Sequence, residues 1–543
     1  MTLTTRLAPV LDRRPRLVLA LLCLVLWLPG FFNLPPTDRD ESRFALATRQ
    51  MIDSGDYVRI MNGAVPRSKK PIGIHWLQVP FVAAAHIAGV ATRNPVWPYR
   101  VASLLGAMVA VLATAAIGET LLGGRRAGLL AGTMLAASVI LTVEAHIAKT
   151  DAALLGATTV AMAVVARAWA GAAVTRGGAA LFWLAMAAGI LIKGPVTPMV
   201  VGLATIGACL SGWRVRWLAP LRPIWGVPLM AAAVLPWFVA IWIDTNGAFF
   251  TQAVGGDLGR KLGGGDESHG ALPGLHLLLL PLLSFPSTVP VLLGLAAAVR
   301  RWRAAPIGFL LAWLVPAWLV FEAVPTKLPH YTLPLYPALC LLAADALQRV
   351  RLPGPTLAVA RRCARCGLAA AALVLGGGAL ALPVWLHASP FLGVAPALLA
   401  GAAAWVAWRA GPVAGALAVV PLYAAILQFE LPRLSALWVA PRAAAAVRAA
   451  WPEVPRDGNG VIAVGYAEPS LMFLLGPRLT FLPNGTLAAQ ALARTPHGAA
   501  LIATPEVPAF LQAATAAGVR EEGEIEGTDY ARGRRVTLTL FVR

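Results

Sequence analysis

Long apolar runs alternate with short polar ones along most of the chain. The runs fall near 16–32, 99–122, 126–145, 151–171, 178–192, 195–212, 222–243, 273–298, 305–323, 332–348, 366–386, 390–409 and 411–428. Most approach the ~20 residues that a helix needs to cross a hydrocarbon core of roughly 30 Å. The pattern predicts a polytopic α-helical membrane protein of about thirteen spans. A further apolar segment, 76–90, is too short to span and carries Pro80, so an interfacial or re-entrant helix is expected there. The runs near 178–192 and 195–212 are divided only by Lys193-Gly194-Pro195. A Gly-Pro pair breaks a helix, although one kinked span would give the same pattern.

After about residue 429 the pattern changes. Val461–Gly465 and Ala499–Ala503 read as buried strands, Pro469–Leu475 and Pro508–Ala517 as helices, and Val536–Val542 alternates like a strand. The expected organisation is a transmembrane unit over 1–428 and a small α/β domain over 429–543. Within the first unit, 33–98 forms a long outer loop with interfacial helices, and 244–272 forms a second outer loop.

Composition supports the membrane reading. Of the 543 residues, 58% are hydrophobic and 13% charged, with mean hydropathy +0.71. The net charge of +20 would raise the question of nucleic acid in a soluble chain. Here the basic residues sit in short loops between apolar runs, and no nucleic-acid motif is found. With the N-terminus cytoplasmic, inside segments hold 20 basic residues and short outside loops 5. That asymmetry fits the positive-inside rule and places the long loop and the C-terminal domain outside, at a bacterial inner membrane. The basic start before Leu17–Leu28 reads as an uncleaved first span, because no small-residue cleavage site follows. The five cysteines give no disulfide framework, and Cys363-x-x-Cys366 without a second pair is read as incidental.

Arginine supplies nearly all the positive charge. Six of 45 basic residues are lysines: Lys69, Lys70, Lys149, Lys193, Lys261 and Lys327. All six fall on the expected outer side. A compact ammonium binds phosphate as a point charge, and lipid phosphate lies at that depth. Chance and snorkelling anchors explain the placement less well, since the inside loops contain no lysine. In the long loop, Asp40-Glu41-Ser42-Arg43 opens an amphipathic helix that Gly55 closes. Asp40 and Arg43 share a face. The pattern alone fits a well-capped surface helix as readily as a catalytic carboxylate. Asp151 opens a span, where it caps the helix or contributes chemistry. Arg260, Lys261 and His269 lie in the Gly-rich stretch 255–270, which reads as a lid or as a plain loop. Glu144 and His146 lie near an outer span end, as a pair rather than as ligands.

Taken together, several motifs resemble the glycosyltransferase-C superfamily, in particular its aminoarabinose lipid A transferases and bacterial protein O-mannosyltransferases. These are Asp40-Glu41-Ser42-Arg43-Phe44-Ala45, Met51-Ile52-Asp53-Ser54-Gly55-Asp56-Tyr57-Val58, Lys70-Pro71 and His75-Trp76. In the same order follow Lys149-Thr150-Asp151, Ile192-Lys193-Gly194-Pro195, Lys327-Leu328-Pro329-His330-Tyr331 and Gly465-Tyr466-Ala467-Glu468-Pro469-Ser470. The resemblance implies thirteen spans, an outer catalytic loop and an outer C-terminal α/β domain. It also implies inverting transfer from a polyprenyl-phosphate sugar to a lipid, glycan or protein acceptor. By the same resemblance Asp40 matches the catalytic acidic position, and Lys70, Lys193, Lys327, His330 and Tyr331 match positions near the donor phosphate. Arg43 and Lys149 join this set as candidates, and Glu41, Lys69, Asp151, Arg260, Lys261 and His269 are secondary ones. Lys69 stands where the aminoarabinose transferase has a Glu, which puts a divalent metal at that place in doubt. No other cofactor is implied, and a monomer among membrane lipids is expected. A transporter is the rival class. It would carry an inverted repeat, which the sequence lacks, and charges near the midplane rather than at one face.

Overall fold

The computed structural model describes residues 14–90, 95–212, 214–259, 270–349, 354–514 and 518–543. Among these, eight helices are long and apolar enough to cross a membrane. A ninth counts if Arg125–Ala137 and Val139–Ala145, bent by 64°, form one broken span. Shorter apolar helices occupy Pro15–Trp27, Val196–Ser211 and Thr288–Arg300. The chain is therefore a multi-pass helical membrane protein.

Backbone chemistry explains where helices break. At Ser138 the chain is extended (φ −64°, ψ 139°). A break inside an apolar bundle frees carbonyls that need partners. Here Trp27 Nε1 donates to the Ala136 carbonyl at 3.2 Å and Tyr423 Oη to the Ala137 carbonyl at 2.6 Å. The run near 273–298, expected as one span, is two helices, Leu275–Leu283 and Thr288–Arg300, with Pro286 between them. Proline lacks the N–H that would continue a helix. For the same reason the run near 332–348 begins as a 3-10 turn over Pro329–Leu335, and only Tyr336–Arg349 is α-helical. At Lys193-Gly194 the break is complete. Arg176–Lys193 ends in Gly194 with φ +62°, and a new helix begins at Val196.

The helices Trp97–Leu121 and Thr150–Trp169 approach closely through glycine. A Cβ on Gly106 would lie 2.5 Å from the Ala153 Cα, and one on Gly156 would lie 2.7 Å from the Gly106 carbonyl oxygen. Small residues permit such backbone contact between apolar helices. The contact aligns the two N-terminal ends, which carry Arg100 and Asp151.

The long loop contains the helix Asp40–Ser54, a two-stranded hairpin of β1 (Met61–Asn62) and β2 (Val65–Pro66), and the helix Gly73–Ile87. The last has 15 residues, about 22 Å at 1.5 Å per residue, too short to span.

The C-terminal part holds a five-stranded sheet of β3 (Val461–Val464), β4 (Thr480–Leu482), β5 (Ala499–Ala503), β6 (Arg520–Asp529) and β7 (Arg534–Val542). The order is β4-β3-β5-β7-β6, with β3 parallel to β4 and β5, and β7 antiparallel to β5 and β6. Alternate residues of β3 feed separate cores on the two faces: Val461 and Ala463 on one, Ile462 and Val464 on the other. This sheet domain rests on the long-loop helix. Arg49 donates to the Phe473 carbonyl at 2.8 Å and to the Arg456 carbonyl at 2.6 Å. The Phe473 ring meets Tyr99 edge-on at 5.4 Å.

Candidate active site

Asp40 is the first residue of the Asp40–Ser54 helix, with Glu41 beside it in the first turn and Gly55 (φ +72°) as its left-handed cap. Carboxylates suit a helix N-terminus, where unpaired N–H groups point outward. The Asp40 side chain is 42% exposed and lies 3.5 Å from Arg67 Nη2. The nearby Lys70 ammonium, more than any other group, holds this carboxyl well below the usual carboxylate range. Arg67, Lys149 and Arg43 add to the effect, and burial opposes it. The Phe44 ring supports two of these cations: the Arg67 guanidinium lies 4.5 Å from its centroid and the Lys70 Nζ 4.9 Å. Such contacts hold a cation in place at roughly 0.5–2 kcal/mol each. Burial pushes Lys70 down to about 8, with Asp40 and Asp151 acting against it and Lys193 with it.

A second group of charges lies behind Lys70. Asp151 accepts from Lys193 Nζ at 2.5 Å and lies 3.8 Å from both Lys149 Nζ and His330 Nε2. Lys149 pairs with Glu144 at 2.9 Å and approaches His330 Nδ1 at 3.3 Å. Lys193 also sits over the Tyr331 ring at 5.3 Å. Burial works against the Lys149 charge, but Glu144 and Asp151 outweigh it and raise its pKa above the ordinary lysine value. Burial lowers His330 well below the usual histidine range, with Asp151 pulling the other way.

Beside this group opens a cavity of about 220 Å³, lined by Val139, Ile140, Val143, Ile147, Leu283 and Pro329 together with Glu144, Lys149 and His330. Glu144 Oε2 is buried there without a hydrogen-bond partner. Mostly apolar walls that include one ammonium and one carboxyl suit a ligand with an apolar tail.

The structure sorts the sequence candidates. Asp40, Arg43 and Lys70 gather at the helix start, and Lys149, Asp151, Lys193, His330 and Tyr331 gather behind it. Lys327 is buried and donates to the Val324 carbonyl at 2.7 Å rather than to this group. Glu41, a secondary candidate, is a structural lock. It is fully buried and accepts from Arg100 Nε (2.8 Å) and Nη2 (3.0 Å), from Thr37 N (2.8 Å) and from Ala148 N (2.9 Å). Lys69 is exposed. Arg260, Lys261 and His269 lie outside the described residues. Glu144 and His146 do not pair: His146 binds the Thr142 and Pro29 carbonyls, while Glu144 joins Lys149. Cys363 and Cys366 are exposed along the Gly354–Trp385 helix.

Arg67 goes unnoticed in the sequence, and Glu144 is placed there only as a partner of His146. Arg67 belongs to the basic run Arg67-Ser68-Lys69-Lys70, a signal masked by attention to lysine alone. Glu144 had only its position at a span end. Among the described residues, no group of three or more His, Cys, Asp or Glu could hold a metal ion.

No protein-family model matches the chain. Its curated relatives include the undecaprenyl phosphate-alpha-4-amino-4-deoxy-L-arabinose arabinosyl transferase of Pseudomonas aeruginosa, 27% identical over 342 residues that cover 60% of this chain and 59% of the relative. The Pseudomonas paraeruginosa counterpart is 26% identical over 343 residues, 59% of each chain. The chain thus spans about three-fifths of the length of these relatives. The crystal structure of ArnT from Cupriavidus metallidurans bound to undecaprenyl phosphate superimposes with a TM-score of 0.71 at 21% identity, covering 97% of this chain and 98% of that one. The chain thus shares the fold of this polytopic membrane protein over nearly its whole length. It is similar to the arabinosyl transferases in sequence over about three-fifths of its length and to ArnT in fold.

Proposed function

We propose that the chain is an inverting membrane glycosyltransferase. It moves a monosaccharide from a polyprenyl-phosphate donor to a lipid A-type or other acceptor at the periplasmic face of the inner membrane. One observation carries this reading: Lys70, Lys149, Lys193 and two carboxylates converge at one end of the helix bundle beside an apolar cavity. The cavity would hold the first isoprene units and the lysines the phosphate. The proposed topology follows the basic residues, with thirteen spans, the N-terminus inside, and the long loop and sheet domain outside. Nothing in the reading requires more than a monomer.

In the reaction, an acceptor oxygen attacks the sugar C1 as the C1–O bond to phosphate breaks from the opposite face. The bonding electrons leave on the lipid phosphate, where the ammonium groups stabilise the growing charge. One such preorganised donor is worth about 3 kcal/mol. Asp40 faces the reaction as an ionised carboxylate with little affinity for protons. It therefore orients the acceptor first and is a weak base second. An acceptor oxygen already ionised, such as a lipid phosphate, needs no base from Asp40. A hydroxyl acceptor would pass its proton to Asp40 during attack.

The test is transfer by purified chain from a labelled polyprenyl-phosphate sugar to extracted lipid. Asp40→Asn is expected to cut the rate by about 10²-fold, the cost of a misplaced reactant, with expression unchanged. No transfer to lipid, glycan or protein by the wild type would reject the reading, and full activity in Asp40→Asn would remove Asp40 from it.

A further inference from the structure

The two residues before Asp40 are held by the sheet domain rather than by the loop that carries them. The Asp38 N–H donates to Tyr530 Oη at 2.6 Å. The Ser470 hydroxyl donates to Asp38 Oδ1, and the Arg39 guanidinium donates to the Ala531 carbonyl. Arg39 itself has φ +62° and ψ −111°. A non-glycine residue rarely adopts that conformation, and it persists only where the surroundings over-determine it. The next residue is Asp40.

The gripping side is itself firm. Tyr530 and Ala531 lie in the turn between β6 and β7, where Arg532 N donates to the Asp529 carbonyl at 3.1 Å. Arg532 reaches Glu468 at 3.7 Å, and Arg534 reaches the buried Asp529 at 3.5 Å. On the other flank of Asp40, Glu41 is fixed to Arg100. Asp40 is thus held between one anchor on a membrane helix and another on the sheet domain.

We propose that Ser470 and Tyr530 are positioning residues: through Asp38 they fix the turn at Arg39, and with it the place of the Asp40 carboxylate. The sheet domain is then a working part of the transfer site. This rests on the transferase reading for its kinetic consequence, but the geometric claim stands separately.

The test uses the full chain in lipid, with a labelled polyprenyl-phosphate sugar as donor, and pairs kinetics with amide hydrogen exchange. Tyr530→Phe and Ser470→Ala are expected to lower kcat by about tenfold or more, since small misplacements of a reacting group are costly. KM for the donor should stay within about twofold, because the groups that hold its phosphate are untouched. Exchange at 39–43 should quicken while β3, β5 and β7 keep their protection, and Ser470→Thr should restore both values. Wild-type kcat with unchanged exchange at 39–43 overturns the proposal. So does a loss of thermal stability with kcat per folded molecule intact. Should Tyr530→Phe not fold, Ser470→Ala and its Thr rescue carry the same decision. If the wild type transfers nothing from any donor, the transferase reading has failed. Exchange at 39–43 in Ser470→Ala then decides the clamp alone, with unchanged protection rejecting it.

Discussion

Asp40 and Glu41 are adjacent carboxylates with opposite fates. Asp40 remains 42% exposed among cations, whereas the Glu41 side chain is 0% exposed against Arg100 at 1%. Arg100 also donates to the Phe31, Leu34 and Pro35 carbonyls. Glu41→Ala would leave that guanidinium buried without its counter-ion, at a cost of about 3–5 kcal/mol. The expected result is a clear drop in melting temperature and folded yield, whereas Asp40→Asn should melt like wild type. Equal melting of all three would show that the lock does not hold the loop. Lys70 provides a kinetic prediction. Burial brings it to about 8, and a lysine is cationic only below its pKa. The rate of transfer should therefore hold steady up to about pH 8 and fall above it as the ammonium loses its proton. Lys70→Arg keeps its charge, so its alkaline limb should vanish even if its guanidinium lowers the plateau. A wild-type rate that is flat to pH 10 would exclude Lys70 as the phosphate's partner.

At the scale of elements, the helix Gly73–Ile87 begins against the end of Arg176–Lys193. A Cβ on Gly73 would lie 2.7 Å from the Leu191 carbonyl carbon. Gly73→Ala must separate the two elements, and with them Lys70 from Lys193. Overpacking of this kind costs about 1–3 kcal/mol. Both melting temperature and transfer should fall, whereas Gly194→Ala, with open space around it, should strain only its own backbone. Unchanged activity in Gly73→Ala would mean that the Lys70–Lys193 spacing does not matter. Local signals made several elements legible in sequence. Asp40, Glu41 and Gly55 mark both ends of their helix, and Lys193-Gly194-Pro195 marks a true break. The bend at Ser138 carries no such mark, because its freed carbonyls are satisfied by Trp27 and Tyr423, 109 and 286 residues away. β6 was likewise missed. Its Arg-Glu-Glu-Gly-Glu start is charged and mostly exposed, so it lacks the apolar alternation that betrays β7. In the site, the scarcity of lysine pointed to Lys70, Lys149 and Lys193. It could not separate these from Lys327, which spends its ammonium on a backbone carbonyl. Nor could spacing reveal that Glu41 pairs with a residue 59 positions on.

Across the whole molecule, the sheet domain and the membrane bundle meet through an acidic seam. Burial raises Asp38 to about 6. Asp529 adds to that, while the Ser470, Tyr530 and Tyr466 hydroxyls work against it. Burial likewise raises Glu468 to about 7, helped by Asp38 and Asp529 and opposed by Arg532 and Arg39. Both values lie above the ordinary 3.8 and 4.5. The docked state therefore binds protons more tightly than the unfolded one, and linkage then sets the sign. The stabilisation is fully present below about pH 4, the usual carboxyl range, and is lost as pH rises through 6 to 7. The seam should be firmer at pH 5 than at pH 8. The comparison is the melting temperature of the full chain against Asp38→Asn/Glu468→Gln, whose amides do not titrate. Wild type should lose stability relative to that variant between pH 5 and pH 8. A constant difference across the window would show that neither carboxyl changes charge there.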